Sequence, residues 1–215
     1  MSALVCFALK EEAAPFLKIA AAKSGVAVLV VGIGRRNAEQ ALRNFLGHYS
    51  PAPGLVFTCG FAGGLDPALP TGAVVFEAGH EIGPAPCGWR DKLLAAGARP
   101  GKFFCAERIA ITAAEKRKLR ADTGADAVEM ESAAIHAVCR ERGIPSVTVR
   151  VISDAAGEDL PLDFNAVARA DKSLHPGKLA LAIAKAPGKI GALMRLGRHT
   201  GAAARRLAAV LDQVL

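Results

Sequence analysis

This sequence predicts an α/β fold, in which helices pack on a central β-sheet. Short runs rich in β-branched and other apolar residues, such as Val26–Val31 and Ser146–Ile152, alternate with amphipathic stretches long enough for helices. Such alternation is typical of a sheet covered by helices. The 215 residues, of which 52% are hydrophobic, suffice for a single domain with a mainly aliphatic core.

The N-terminal part begins with a strand over Ala3–Ala8, then a short acidic segment and a helix over Ala13–Ala22. The buried strand Val26–Val31 leads through the turn Gly32–Asn37 into a helix over Ala38–Phe45. The other predicted strands are Leu55–Cys59, Val74–Ala78, Phe103–Ile111, Ala127–Met130 and Ser146–Ile152, and the other predicted helices are Trp89–Ala96, Ala113–Arg120, Ser132–Arg142, Asn165–Ala170, His175–Ala186, Ile190–Leu196 and Gly201–Leu215.

Three carboxylates follow predicted strands in the stretch from Ala125 to Asp159. Glu129 and Glu131 lie at the end of one strand, and Asp154 lies two residues after the end of the next. Ligands of open α/β sheets bind at the carboxyl ends of the strands. These three carboxylates are therefore expected to meet in a binding or catalytic site.

Two other strand ends add candidates. Glu12 follows the first strand, where an acidic residue could serve a site or simply favour a helix N-terminus. Gly34 and Arg35 belong to a glycine-rich turn between a strand and a helix. Such a turn presents main-chain N–H groups to an anion, and an adjacent arginine adds charge-assisted hydrogen bonds.

Several motifs occur in order along residues 3–185. They are ALKEE, VGIGR, GFAGGL, VEMESAAI and VRVISDAAGED. Together they resemble the nucleoside phosphorylase and nucleosidase superfamily, which includes 5′-methylthioadenosine/S-adenosylhomocysteine nucleosidases and purine nucleoside phosphorylases. The resemblance implies one three-layer domain with a mixed central sheet, usually in a homo-oligomer. It also implies cleavage of the N-glycosidic bond of a purine nucleoside, of adenosine type and 5′-modified, by water or by phosphate.

The resemblance assigns roles to the carboxylates. Asp154, kept protonated by desolvation or by nearby anions, would donate to N7 of the departing purine. Glu131 would accept hydrogen bonds from the ribose hydroxyls and stabilise the developing cation. Met130 would pack against the ribose, or lie in the core, and Glu129 would support Glu131. Glu12 would act as the general base on water, and with phosphate as the nucleophile Arg35 would take the larger part.

The remaining binding residues also come from the resemblance. Gly63, in GFAGGL, lies where the main chain approaches the ribosyl group and base, while Phe61 replaces the Ser or Thr common in relatives. Arg108 and Ile109 fall where relatives contact the purine, although both also suit an ordinary core or surface. Gly34 and Arg35 border the phosphate or nucleophile subsite. No cofactor is implied beyond phosphate as a co-substrate.

Composition limits the other classes of function. The net charge of +7 belongs to the C-terminal end, because eight Lys or Arg residues and no acid lie between Lys172 and Leu211. The basic residues lack interleaved aromatics, so no nucleic-acid partner is expected. Five scattered cysteines indicate reduced thiols in a cytoplasmic protein, and no His, Cys or carboxylate cluster has metal-ligand spacing.

Residues 187–215 form a basic amphipathic extension of the domain formed by residues 1–186, and it is expected to pack on that domain. Its charges would either face water or contact an anionic membrane surface. The stretch GLDPALPTGAVV resembles hopanoid-associated phosphorylases, which remove adenine from an adenosyl lipid. An adenosyl-lipid phosphorylase at the membrane face is thus one alternative function. A nucleoside-binding member without catalysis is another, favoured by Phe61.

Overall fold

The computed structural model describes residues 2–80, 88–167 and 176–215, which form one mixed β-sheet with helices on both faces. The strands are β1 (Ala3–Phe7), β2 (Val26–Val30), β3 (Leu55–Gly64), β4 (Val74–His80), β5 (Arg99–Pro100), β6 (Phe103–Cys105), β7 (Ala127–Glu129) and β8 (Ser146–Asp154). The helices are α1 (Lys10–Ala20), α2 (Arg35–His48), α3 (Trp89–Ala95), α4 (Ala113–Thr123), α5 (Ser132–Glu141), α6 (Phe164–Val167), α7 (Pro176–Lys185) and α8 (Ile190–Val214), with a 3₁₀ turn at Pro187–Lys189.

The sheet is parallel at its centre and antiparallel at one side. Its main path runs β2-β1-β3-β8-β4-β5, and β7 also pairs with β3 while β6 pairs with β7. Strands β2, β1, β3 and β8 are mutually parallel, whereas β4 is antiparallel to β8 and β7 is antiparallel to β3. The mixed central sheet predicted from the sequence is confirmed.

Side chains that alternate along β1 reach two separate cores. Val5 and Phe7 pack with α1, α3 and α8 on one face of the sheet, while Leu4 and Cys6 pack with α2 and α5 on the other. The layers are therefore helix, sheet and helix, as expected. Parallel strands in such a sandwich are buried on both faces, which explains why β8 is apolar along nearly its whole length.

Four local expectations were wrong. Strand β2 is at the edge of the sheet and only half-buried, and α1 begins at Lys10, so that Glu12 lies within its first turn. Strand β3 continues through the glycine-rich residues expected to form a turn, because glycine lets the main chain bulge and approach neighbours there. Strand β6 ends at Cys105, and a loop replaces the rest of the strand expected up to Ile111.

The C-terminal residues form a single helix, α8, rather than two helical stretches. Its second half is part of the core, where Leu207, Val210 and Leu211 are fully buried. Its first half leaves apolar side chains exposed, Ile190 by 45% and Met194 by 62%. Gly197 and Gly201 have low helix propensity and would by themselves favour a break. Packing of α8 against α1 and the sheet keeps the helix continuous across them.

Parts of three expectations fall outside the described residues. These are the segment from Ala168 to Ala170 of one predicted helix, His175 of another, and Cys87. The four cysteines that the structure describes carry free thiols and are buried. Among the described helices, none is both long and apolar enough to cross a membrane.

Candidate active site

The predicted carboxylates lie at the carboxyl edge of the parallel strands. Glu12 is in the first turn of the helix that follows β1, and Glu131 precedes α5 after β7. Asp154 is the last residue of β8, four residues beyond Arg150 and thus about 13 Å along the strand. Glu129 is the last residue of β7, and all four carboxylates are nearly inaccessible to solvent. They divide into two groups, one around Arg150 and one around Asp154.

Glu12 is held in place by main-chain donors. Its Oε2 accepts a hydrogen bond from the Leu9 N–H and its Oε1 accepts one from the Phe61 N–H, each at 2.8 Å. Burial raises the pKa of Glu12 from 4.5 to about 7, against the opposing effects of the Arg150 charge and of these hydrogen bonds. A carboxylate with this pKa can accept a proton near neutral pH.

Arg150 is a buried cation, 1% exposed, at the centre of the first group. Its Nη2 forms ion pairs with Glu129 at 2.7 Å and Glu131 at 3.2 Å and also donates to Thr58 Oγ1, while Nη1 donates to the Cys59 carbonyl. Three carboxylates surround one guanidinium, because Glu12 also interacts with Arg150. The group therefore carries excess negative charge whenever all three are ionised.

Glu129 and Glu131 differ in their surroundings. Glu129 accepts hydrogen bonds from the Glu131 N–H, the Ser132 N–H and the Ser132 hydroxyl. Burial alone would raise the pKa of Glu129, but the charge of Arg150 together with these hydrogen bonds outweighs that effect and lowers it. Glu131 interacts with Arg150 and with two main-chain donors, the Gly34 N–H at 2.8 Å and the Met130 N–H, and burial raises its pKa. Glu129 thus serves as a fixed anion, and Glu131 is the carboxylate with unused acceptor capacity.

The structure brings Gly34 to this group, whereas the Arg35 side chain makes its hydrogen bond elsewhere. Gly34 has φ of 87° and precedes α2, and its N–H binds Glu131 Oε1 rather than being free for an anion. The exposed Arg35 guanidinium donates to the Cys105 carbonyl. An anion at this turn would have to compete with Glu131 for the Gly34 N–H.

Glycines allow strand β3 to pass beside both groups. A Cβ at Gly60, where φ is 142°, would lie 2.7 Å from both Glu12 Oε1 and Arg150 Nη1, so only glycine fits. A Cβ at Gly63 would lie 3.4 Å from Asp154 Oδ2. The Phe61 N–H binds Glu12, so this main-chain contact does not depend on the hydroxyl that Phe61 lacks.

Desolvation or nearby anions were expected to keep Asp154 protonated, but the structure places a cation beside it. Its Oδ2 forms an ion pair with Lys116 Nζ, and its Oδ1 accepts a hydrogen bond from Ser153 Oγ at 2.6 Å. Lys116 projects from α4 and is completely buried. A cavity of about 200 Å³ opens at Asp154 and is lined by Glu158, Arg195 and His199, among others.

Three further predicted binding residues differ in their surroundings. Met130 is buried, and its main-chain N–H interacts with Glu131. The main chain of Ile109 forms two hydrogen bonds with the Asn165 side chain, its N–H donating at 3.0 Å and its carbonyl accepting at 2.9 Å. Arg108 is 60% exposed and pairs with Glu115.

Sequence reasoning missed Arg150 and Lys116. Arg150 could have been found, since a lone charge inside the apolar strand SVTVRVI must be buried and therefore paired. Lys116 could not have been found, because its neighbours Arg117 and Lys118 are equally basic. Only the packing of α4 determines which of these side chains is buried.

Fold and site together define a class of protein. It is a three-layer α/β protein whose sheet edge carries a buried carboxylate–arginine group and a separate carboxylate–lysine pair. Such an arrangement suits acid–base chemistry on a small molecule that develops positive charge.

Comparison with known proteins gives the family. A family model described as the phosphorylase superfamily matches residues 83–184. The 5′-methylthioadenosine/S-adenosylhomocysteine nucleosidase of Glaesserella parasuis serovar 5 (strain SH0165) is 31% identical over 170 residues, which cover 65% of this chain and 72% of that protein. This chain belongs to the phosphorylase superfamily.

Solved structures share the fold. The nucleosidase of Colwellia psychrerythraea 34H in complex with adenine superimposes with a TM-score of 0.69 at 19% identity, covering 100% of this chain and 94% of that one. Futalosine hydrolase of Helicobacter pylori strain 26695 gives 0.70 at 17% identity, with coverages of 100% and 97%. The Neisseria meningitidis nucleosidase with methylthio-immucillin-A gives 0.69 at 18%, with coverages of 99% and 97%. These similarities establish the three-layer α/β architecture.

Proposed function

We propose that this protein cleaves the N-glycosidic bond of a purine nucleoside, of adenosine type and 5′-modified. The observation that carries the proposal is the buried group in which Glu12 and Glu131 lie beside Arg150. Glycosidic cleavage needs a base for the nucleophile and negative charge near the ribosyl cation, and this group contains both. The membership of this chain in the phosphorylase superfamily supports the same chemistry.

In this mechanism Glu131 binds the ribose and Glu12 activates the nucleophile. The pKa of Glu12, about 7, leaves a substantial fraction ionised at neutral pH and able to accept a proton from water. The ionised Glu131 accepts hydrogen bonds from the ribose hydroxyls and stabilises positive charge at the sugar. Arg150 keeps Glu129 ionised and orients Glu131, so it is a positioning residue. Asp154 donates a proton to N7 of the departing purine.

The nucleophile is water or phosphate, and an assay separates the two. The purified protein is incubated with a panel of 5′-modified adenosines, with and without phosphate, and the products are identified by mass spectrometry. Purine release that is independent of phosphate indicates hydrolysis, and formation of a ribose 1-phosphate derivative indicates phosphorolysis. Glu12→Gln should abolish release, whereas Glu11→Gln, exposed on the same turn, is the matched control. No purine release from any nucleoside would refute the proposal and leave a binding function.

The exposed half of α8 favours one special case, an adenosyl-lipid substrate. Ala192, Arg195 and His199 of this half line the cavity at Asp154, and Ile190 and Met194 expose apolar surface on the same half-helix. A basic helix with exposed apolar side chains can bind an anionic membrane surface. The adenosine part of such a lipid would then reach the sheet edge while its lipid part stays in the membrane.

A further inference from the structure

Asp154, the residue proposed to protonate the purine, lies beside a buried cation. Lys116 Nζ contacts three acceptors, namely Asp154 Oδ2, the Ala155 carbonyl at 2.9 Å and the Glu158 carbonyl at 2.8 Å. An ammonium group has three N–H donors, so these three acceptors fit the charged form of lysine. An ionised pair, with Lys116 as the ammonium and Asp154 as the carboxylate, uses all three donors. In that pair the carboxylate has no proton of its own to give.

Only Asp154 of this pair reaches the cavity. Lys116 is 0% exposed, and its side chain does not line the cavity that opens at Asp154. A Cβ at Gly63 would lie 3.9 Å from Lys116 Cε and 3.4 Å from Asp154 Oδ2, so strand β3 closes over the pair. Any proton that Lys116 supplies to a substrate must therefore pass through Asp154.

We infer that Lys116 is the proton source for the leaving purine and that Asp154 relays its proton; this inference rests on the proposed function. As the bond between C1′ and N9 breaks, its electron pair remains on the purine and makes N7 strongly basic. The Lys116 ammonium then transfers a proton to Asp154, and the Asp154 carboxyl transfers a proton to N7. Lys116 is left as a neutral amine and Asp154 again as a carboxylate, and solvent reprotonates the amine through Asp154 after product release.

An ammonium group suits this step because of the strength of the base it meets. An ordinary nucleoside is a weak base at N7, but a departing purine anion is a strong one, and proton transfer is efficient when donor and acceptor are matched. The exchange also keeps the charge of the buried pair balanced until the substrate develops charge of its own. A protonated Asp154 next to the Lys116 ammonium would instead leave an uncompensated buried cation, which is costly.

Other charged groups near the pair must be separated from it in any pH profile. Glu115 and Arg120, on the same helix, pair with Arg108 and with Asp66 and Asp126. Around the cavity the titratable or charged side chains are Glu158, Asp159, Arg195 and His199. His199→Gln identifies the part of the pH profile that belongs to the histidine.

The test is the dependence of kcat on pH for the wild type and two Lys116 variants. Wild-type kcat should rise as Glu12 ionises, through pH ~7. Lys116→Met removes the proton source, so its kcat at pH ~8 should fall about 10²-fold. KM should change little.

Lys116→Arg distinguishes proton supply from charge alone. A guanidinium keeps the ion pair but does not release a proton, so kcat should fall about 10²-fold across the whole pH range. Lys118→Met, on the exposed side of the same helix, should behave as the wild type. Thermal unfolding of each variant shows whether it is folded. If Lys116→Met does not fold, the comparison of kcat between Lys116→Arg and the wild type tests the inference.

A Lys116→Arg variant with near wild-type kcat overturns the inference while the proposed function stands. So does a folded Lys116→Met variant that keeps near wild-type kcat at pH ~8. If the wild type itself releases no purine from the nucleoside panel, the proposed function fails and the Lys116 inference fails with it.

Discussion

The buried Glu12 makes a specific prediction about stability. Its pKa is about 7 in the folded protein and 4.5 in the unfolded chain, because burial disfavours its charged form. The folded state therefore binds the proton more tightly. The contribution of Glu12 to the free energy of unfolding is fully present below pH ~4.5 and is lost as the pH rises through 7, by roughly 3 kcal/mol in total.

Glu12→Gln removes this titration but also costs a hydrogen bond. Glutamine has one carbonyl oxygen, so it can accept from the Leu9 N–H or the Phe61 N–H but not from both. An unsatisfied buried donor costs about 1–3 kcal/mol, and this cost is the same at every pH. The variant should consequently be less stable than the wild type in acid and should equal or exceed it in stability at pH ~8.

Urea unfolding at pH ~5 and pH ~8, at one protein concentration, measures the change. The stability difference between variant and wild type should shift by roughly 2–3 kcal/mol in favour of the variant between the two pH values. Glu11→Gln, exposed on the same turn of α1, is the matched control and should show no such shift. A difference that stays constant with pH would refute the reasoning, because it would mean that Glu12 has no raised pKa.

Three further predictions concern the rest of the site and α8. Asp154→Asn should lower kcat by about 10²–10⁴ and also lower Tm, since it leaves the Lys116 ammonium buried without its counter-ion; an unchanged kcat would contradict the assignment. Glu131→Gln should reduce kcat/KM about ten- to a hundredfold on ribonucleosides and less on 2′-deoxynucleosides, and an equal loss on both sugars would argue against the ribose clamp. The wild type should co-sediment with anionic vesicles and an Ile190→Ser/Met194→Ser variant should not, whereas absence of wild-type binding would remove the adenosyl-lipid substrate.

The vesicle experiment uses point variants because of where α8 lies. A chain ending at Ala186 would lose Leu207, Val210 and Leu211 from the core and could fail to fold. The exposed positions Ile190 and Met194 make no comparable contribution to the core.

The order of strands and helices could be predicted from the sequence, because hydrophobic periodicity and strand-end residues are local signals. The same signals located Glu12, Glu131 and Asp154 at strand ends, where parallel strands of a sheet bring their carboxyl termini to one edge. The limits of β3 could not be predicted in this way. Its glycines read locally as a turn, whereas close approach to Glu12 and Arg150 keeps them in a strand.

What only the tertiary structure decided is how these charges are paired. Arg150 joins Glu129, Glu131 and Glu12 into one group because β1, β7 and β8 all pair with β3. Lys116 reaches Asp154 because α4 packs over the loop after β8. Electrostatic interactions act through space and depend on burial, so sequence distance carries little information about them. The sequence by itself determined the family, the layers and the carboxylates at the sheet edge. The pKa values of Glu12, Glu129 and Glu131 depend on their burial and on the charge of Arg150, which only the folded protein brings together.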